Sequence, residues 1–109
     1  MPSAPKILAQ STPTAASLTT LYTCPASTKT IVSSLVICNT SSTATSFRLS
    51  FSIDAAADAL KQYLYYDEPI FGNHTFIATI GATLDASDLI RVYATLATLS
   101  FTAFGTELT

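Results

Sequence analysis

A chain of 109 residues holds one domain with one core. Its 49% apolar residues can fill that core, while 11% charged residues fall well under the roughly 25% of an ordinary soluble domain. A net charge of −2, with five scattered basic residues, excludes a surface that tracks nucleic-acid phosphates, and the apolar, hydroxyl-rich composition excludes intrinsic disorder.

The first ten residues, MPSAPKILAQ, lack a positive segment followed by an apolar one, so no secretory signal is expected. No apolar stretch reaches the roughly 20 residues of a membrane span. Prolines at 2, 5 and 13 exclude a helix and a central strand from residues 1–17. Only 6–10 suits an edge strand, and the segment is expected as an extended arm that either packs along the domain or reaches a neighbouring subunit. A β-sandwich domain is expected over 18–109.

Residues 18–24, LTTLYTC, predict a short strand ended by Pro25. Residues 30–39, TIVSSLVICN, carry β-branched residues along their length, with Ile31, Leu35 and Ile37 on one parity and Val32, Val36 and Cys38 on the other. Apolar on both parities, this strand is expected either to be covered on both sides or to turn one face to a partner subunit. Hydroxyl and amide side chains at 39–43 predict a turn. The next strand shows clear alternation: Phe47, Leu49, Phe51 and Ile53 are expected in the core, with Arg48, Ser50 and Ser52 in solvent.

Residues 54–60, DAAADAL, predict a loop with at most a single helical turn. Asp54 and Asp58 lack the further oxygen ligands of a cation loop, so no metal is expected there. A strand resumes over 61–66, with Tyr63 and Tyr65 on one face and Leu64 and Tyr66 on the other, and Pro69 stops it or marks it as an edge. A turn over 71–75 leads into a strand at 75–80. Further strands are expected at 89–95 and 99–104, with 105–109 trailing off. Seven or eight short antiparallel strands, with a turn every 8–12 residues or so, predict an all-β sandwich, of jelly-roll type first and immunoglobulin-like second.

Catalytic constellations are scarce. His74 is the sole histidine, which rules out a His-pair metal site; in a turn between Asn73 and Thr75 it suits surface hydrogen bonding. Asp67 and Glu68 are the one adjacent acid pair, but neighbours on a strand point to opposite faces and cannot flank one scissile bond. They are expected to solvate an edge, or to pair with Arg48 or Arg91. Cys24 and Cys38 have no metal spacing and are expected as free thiols rather than a bridge. No enzyme activity, cofactor, nucleic acid or membrane partner is expected. Tyr63, Tyr65 and Tyr66 suit an interface better than a ligand site, although a surface glycan is a second reading. With them Asp67, Glu68, Phe71, His74, Val32 and Val36 make up the interface candidates. The two-faced strand and the tyrosines together predict self-association, a trimer being favoured.

The strings LTTLYTCPASTKTIVSSLVICN, TSFRLSF, KQYLYYDEPIFGNHTFIATIG and DLIRVYATLATLSFTAFGTEL resemble, in the same order, a family of small virion-associated proteins encoded by tailed bacteriophages. The resemblance runs from about Lys6 to Leu108, and the departure within it is Cys24, where valine is usual. It implies a structural part of the virion, assembled in the host cytoplasm: a β-sandwich in the tail, baseplate or fibre region, or a decoration protein that cements the capsid. A carbohydrate-binding module on a receptor-binding fibre is the remaining alternative.

Overall fold

A computed structural model describes residues 3–109. Eight strands follow one another: β1 (Ser3–Ser11), β2 (Thr19–Thr23), β3 (Lys29–Asn39), β4 (Thr45–Ser52), β5 (Tyr63–Ile70), β6 (Thr75–Leu84), β7 (Leu89–Ala94) and β8 (Leu99–Leu108). They form two four-stranded sheets, sheet A in the order β1-β8-β3-β6 and sheet B in the order β2-β7-β4-β5. All pairings are antiparallel, and the first four strands meet the last four in reverse order: β1 with β8, β2 with β7, β3 with β6 and β4 with β5. Two further ladders, β3–β8 and β4–β7, roll that long ribbon into a sandwich. This strand order is a jelly roll.

The core lies between the sheets. Val32, Leu35 and Ile37 of β3, Phe47 and Leu49 of β4, Ile90 and Val92 of β7, and Leu99 and Phe101 of β8 are fully buried in it. Antiparallel order gathers the loops 12–18, 40–44, 71–74 and 95–98 at one end of the sandwich. The loops 24–28, 53–62 and 85–88 lie at the other.

The segment 1–17 takes the first of its two expected courses. Over Ser3–Ser11 it packs along the domain as an edge strand on β8, so the sandwich begins at Ser3 rather than at residue 18. An edge position tolerates Pro5, because one side of an edge strand needs no ladder donor. The C-terminus also differs from expectation. Residues 105–108 do not trail off but continue β8 between β1 and β3. Gly105 lies so close to β3 that a Cβ there would stand 2.1 Å from the Ile31 carbonyl oxygen.

Alternation in β4 holds for Phe47 and Leu49 but not beyond. Phe51 is only partly buried, and Ile53 is 78% exposed because the strand ends at Ser52. Asp54 and Ala55 both take positive φ, which turns the chain into a short 3-10 turn; a second one spans Leu60–Gln62. Ser50 and Ser52, expected in solvent, are buried. The loop lies against this part of sheet B, where Ser52 Oγ donates to the Ala56 carbonyl at 2.7 Å.

Candidate interaction surfaces

Bulges decide where the candidate residues point. In β3 the register shifts between Val32 and Ser34 against both neighbours. An extra residue in a strand reverses its parity beyond that point. Thr30 and Val32 therefore face the core before the bulge, and Leu35, Ile37 and Asn39 after it. The strand that reads as apolar on both faces is thus two half-strands of opposite parity. Val32 is a core residue, not an interface residue, and one of the two grounds for expecting a trimer is weakened.

A second pair of irregularities lies in β5, between the positions that oppose Phe47, Leu49 and Ser50. They overturn the expected pairing of Tyr63 with Tyr65. Tyr65 turns inward, its ring 6.0 Å from that of Phe47 and 5.2 Å from that of Phe76. Tyr63 and Tyr66 instead meet edge to face on the outer side of sheet B, with ring centroids 5.1 Å apart. Asp67, with φ 53°, occupies the left-handed region that Asp tolerates better than most residues. From there its carboxylate accepts from Arg48 Nε at 2.6 Å. The expected ion pair with Arg48 is therefore made within the chain.

Arg48 is held from three sides. Its guanidinium lies 4.1 Å from the Tyr66 ring centre and 4.3 Å from that of Tyr93. The Asp67 hydrogen bond pushes its already high pKa further up. Burial, aided by a hydrogen bond to Asp58, raises the Tyr63 phenol as well. This outer face of sheet B is a built aromatic and charged cluster. Its exposed tyrosine already carries a cation on one ring face, which leaves less of it open to stack on a sugar.

Phe71 and His74 stand apart from that cluster, in the loop between β5 and β6, exposed and in edge contact at 5.7 Å. Glu68 lies in register with Phe47 and is half-buried. Val36, on the other sheet, faces outward. The nine candidates therefore form no single surface: Val32 and Tyr65 turn inward, Glu68 sits half-buried on the edge strand β5 opposite Phe47, Tyr63, Tyr66 and Asp67 share the outer face of sheet B, Phe71 and His74 sit at the loop end, and Val36 belongs to sheet A.

The composition alone did not single out the outer face of sheet A. Register sets Val36 beside Ile77 and Thr102, Ser34 beside Thr79 and Phe104, and Cys38 beside Thr75 and Ser100. Ile7 of β1 adjoins Phe104. Ile77 is 64% exposed and Ile7 53%. These rows carry no charged residue. The nearest charge on β3, Lys29, sits at the strand's start, 3.3 Å from Asp85.

Two polar networks stiffen the ends of the sandwich. At the end that carries the 24–28 loop, the Tyr22 hydroxyl donates to Glu107 Oε2 at 2.5 Å and lies 2.8 Å from Thr30 Oγ1, while Lys6 Nζ pairs with Glu107 Oε1 at 2.7 Å. The Lys6 hydrogen bond, with that of Tyr22 second, holds the Glu107 carboxyl below its ordinary range. Cys24 lies beneath, buried and free, 3.2 Å from Thr30 Oγ1; Cys38 is also free and half-buried. At the other end the buried Asn39 ties three loops. Its Nδ2 donates to the carbonyls of Thr43 at 2.9 Å and Phe71 at 3.2 Å, and its Oδ1 accepts from Ser41 N and Thr98 Oγ1. Asn39→Ala is expected to cost about 2–3 kcal/mol, since it strands two carbonyls and removes a buried amide. The measurement is a lower urea midpoint at unchanged m-value.

Among the described residues no group of His, Cys, Asp and Glu is placed to hold a metal ion. An open cleft of about 250 Å³ is lined by Phe51, Ile53, Ala56, Lys61 and Gln62, none of them an interface candidate. No family model, no curated protein and no solved structure matches the chain.

Proposed function

We propose that this chain is a structural component of a tailed-phage virion, a jelly-roll module built into the tail, baseplate or fibre region. The observation that carries the reading is the outer face of sheet A. It presents Ile7, Val36, Ile77 and Phe104 among Ser and Thr side chains without a charge, the kind of surface that packs against protein rather than standing alone in water. The resemblance over most of the chain to small virion-associated proteins supports the same reading.

Copy number decides it. Quantitative mass spectrometry of purified virions, scaled to the major capsid protein, is expected to find a few copies per particle. Hundreds of copies would replace the tail reading with a capsid cement, and absence from virions would overturn both. The glycan reading has less support, because Tyr65 turns inward and Tyr66 is stacked on Arg48.

A further inference from the structure

An edge strand points every second N–H and C=O away from its sheet, so each edge of a sandwich is either blunted or a template for another strand. This jelly roll has four edges: β1 and β6 in sheet A, β2 and β5 in sheet B. Three are blunted. β1 carries Pro5, Lys6 and an irregularity between Ile7 and Ala9. β2 has only five residues and a register shift within them. β5 carries Asp67 at positive φ, Glu68 and Pro69.

β6 is not blunted. From Thr75 to Thr79 it pairs with β3 in unbroken register, and the sequence from Thr75 to Ile80, TFIATI, holds no proline, glycine or charge. The first irregularity comes at Gly81, with φ 66°. None of the loop or side-chain hydrogen bonds among the described residues reaches Thr75–Ile80 on its open side. Such a segment has the composition of a strand that pairs.

The geometry points to a second copy of this chain as the occupant, its own β6 laid antiparallel along this one. Three arguments select it. A segment run antiparallel against itself is related by a two-fold axis, and a two-fold pairing closes because it uses up both open edges. Charge complementarity removes the other edges of the same chain. Lys6 of β1, or Asp67 and Glu68 of β5, would come to lie beside Thr75, Ile77 and Thr79 of the β6 edge, where no opposite charge exists, whereas β6 brings none. The pairing also joins two sheets A into one eight-stranded sheet and gives Ile77, the most exposed apolar side chain of β6, a cross-strand neighbour. Edge pairing makes a dimer, in place of the trimer expected from the sequence. It needs no other virion protein and stands whether or not the chain is found in particles.

The test is sedimentation equilibrium from about 10 µM to about 1 mM, the range in which a small interface assembles. Wild-type protein is expected to pass from monomer to dimer across it. Ile77→Lys and Ile77→Glu, each alone, are expected to be folded monomers throughout, and their equimolar mixture to recover the dimer. Thr79→Lys and Thr79→Glu, also at an exposed position of β6, serve as a second pair should either first variant fail to fold. A wild-type monomer at the highest concentration, a wild-type trimer, a dimer that survives the single charges, or a mixture that stays monomeric would each overturn the proposal.

Discussion

Val32→Asp is expected to leave no stable fold, whereas Val36→Asp, four residues along the same strand, is expected to fold at a cost of about 1 kcal/mol. Val32 is fully buried between the sheets, with no polar partner for a carboxylate. An unpaired charge there costs more than the roughly 5–15 kcal/mol by which a domain is stable, and a protonated carboxyl without a partner still costs several. Val36 lies beyond the bulge on the outer face, beside Thr102 and Ile77, where a carboxylate stays in water. Far- and near-ultraviolet circular dichroism of both variants, with urea titration of whichever folds, makes the comparison. Equal loss in the two would mean that the parity of β3 does not reverse at Ser33.

That reversal marks the boundary of what was legible in the sequence. Apolar β-branched runs between Pro, Ser and Asn turns identify β2, β3, β4 and β7 to within about two residues, whereas β6, expected to end at 80, runs on past Gly81 to Leu84. Their number and spacing gave the sandwich and its jelly-roll class. Periodicity reports only where a strand keeps step, and a bulge is a tertiary accommodation between neighbouring strands. The bulge in β3 faces matching shifts in β6 and β8, where Gly81 takes positive φ and Gly105 lets β3 approach. A single strand's pattern carries little trace of these, so it does not show that Val32 is buried or that Tyr65 turns toward the core. Ile53 failed for a local reason: two consecutive residues in the left-handed region end β4 one step before it.

Tyr65 leaves the interface candidates for a related reason. Sequence neighbours such as Tyr65 and Tyr66 read as one cluster, yet the β5 irregularities send one ring into the core and the other outward. The surfaces that matter join residues distant in sequence. Arg48, Tyr66, Asp67 and Tyr93 meet across β4, β5 and β7, and Ile7, Val36, Ile77 and Phe104 share sheet A through pairing alone. Asn39 was visible as a turn residue. That its amide serves three loops follows from antiparallel order, which brings those loops to one end.

The same separation of inward and outward rings predicts the second large effect. Phe47→Ala is expected to cost about 3–5 kcal/mol, the range for a fully buried phenylalanine. Phe47 has no exposed surface, and its ring lies 5.3 Å from Phe76, 6.0 Å from Tyr65 and 6.2 Å from Phe101. Those contacts join β4 and β5 of one sheet to β6 and β8 of the other, so a cavity there loosens the sheets from each other. With about 4–8 °C per kcal/mol for a domain near this size, the melting temperature should fall by well over 10 °C. Tyr66→Ala, which removes an exposed ring from the Arg48 stack, is expected to cost about 1 kcal/mol or less. Tyr65→Ala should fall between them, because its ring is partly buried against the same cluster. Thermal melts of the three variants rank them directly. A Tyr65→Ala melt as mild as that of Tyr66→Ala would return Tyr65 to the surface. The expected order instead makes Tyr66 the tyrosine whose loss can report on contact with a partner, because the jelly roll survives without it.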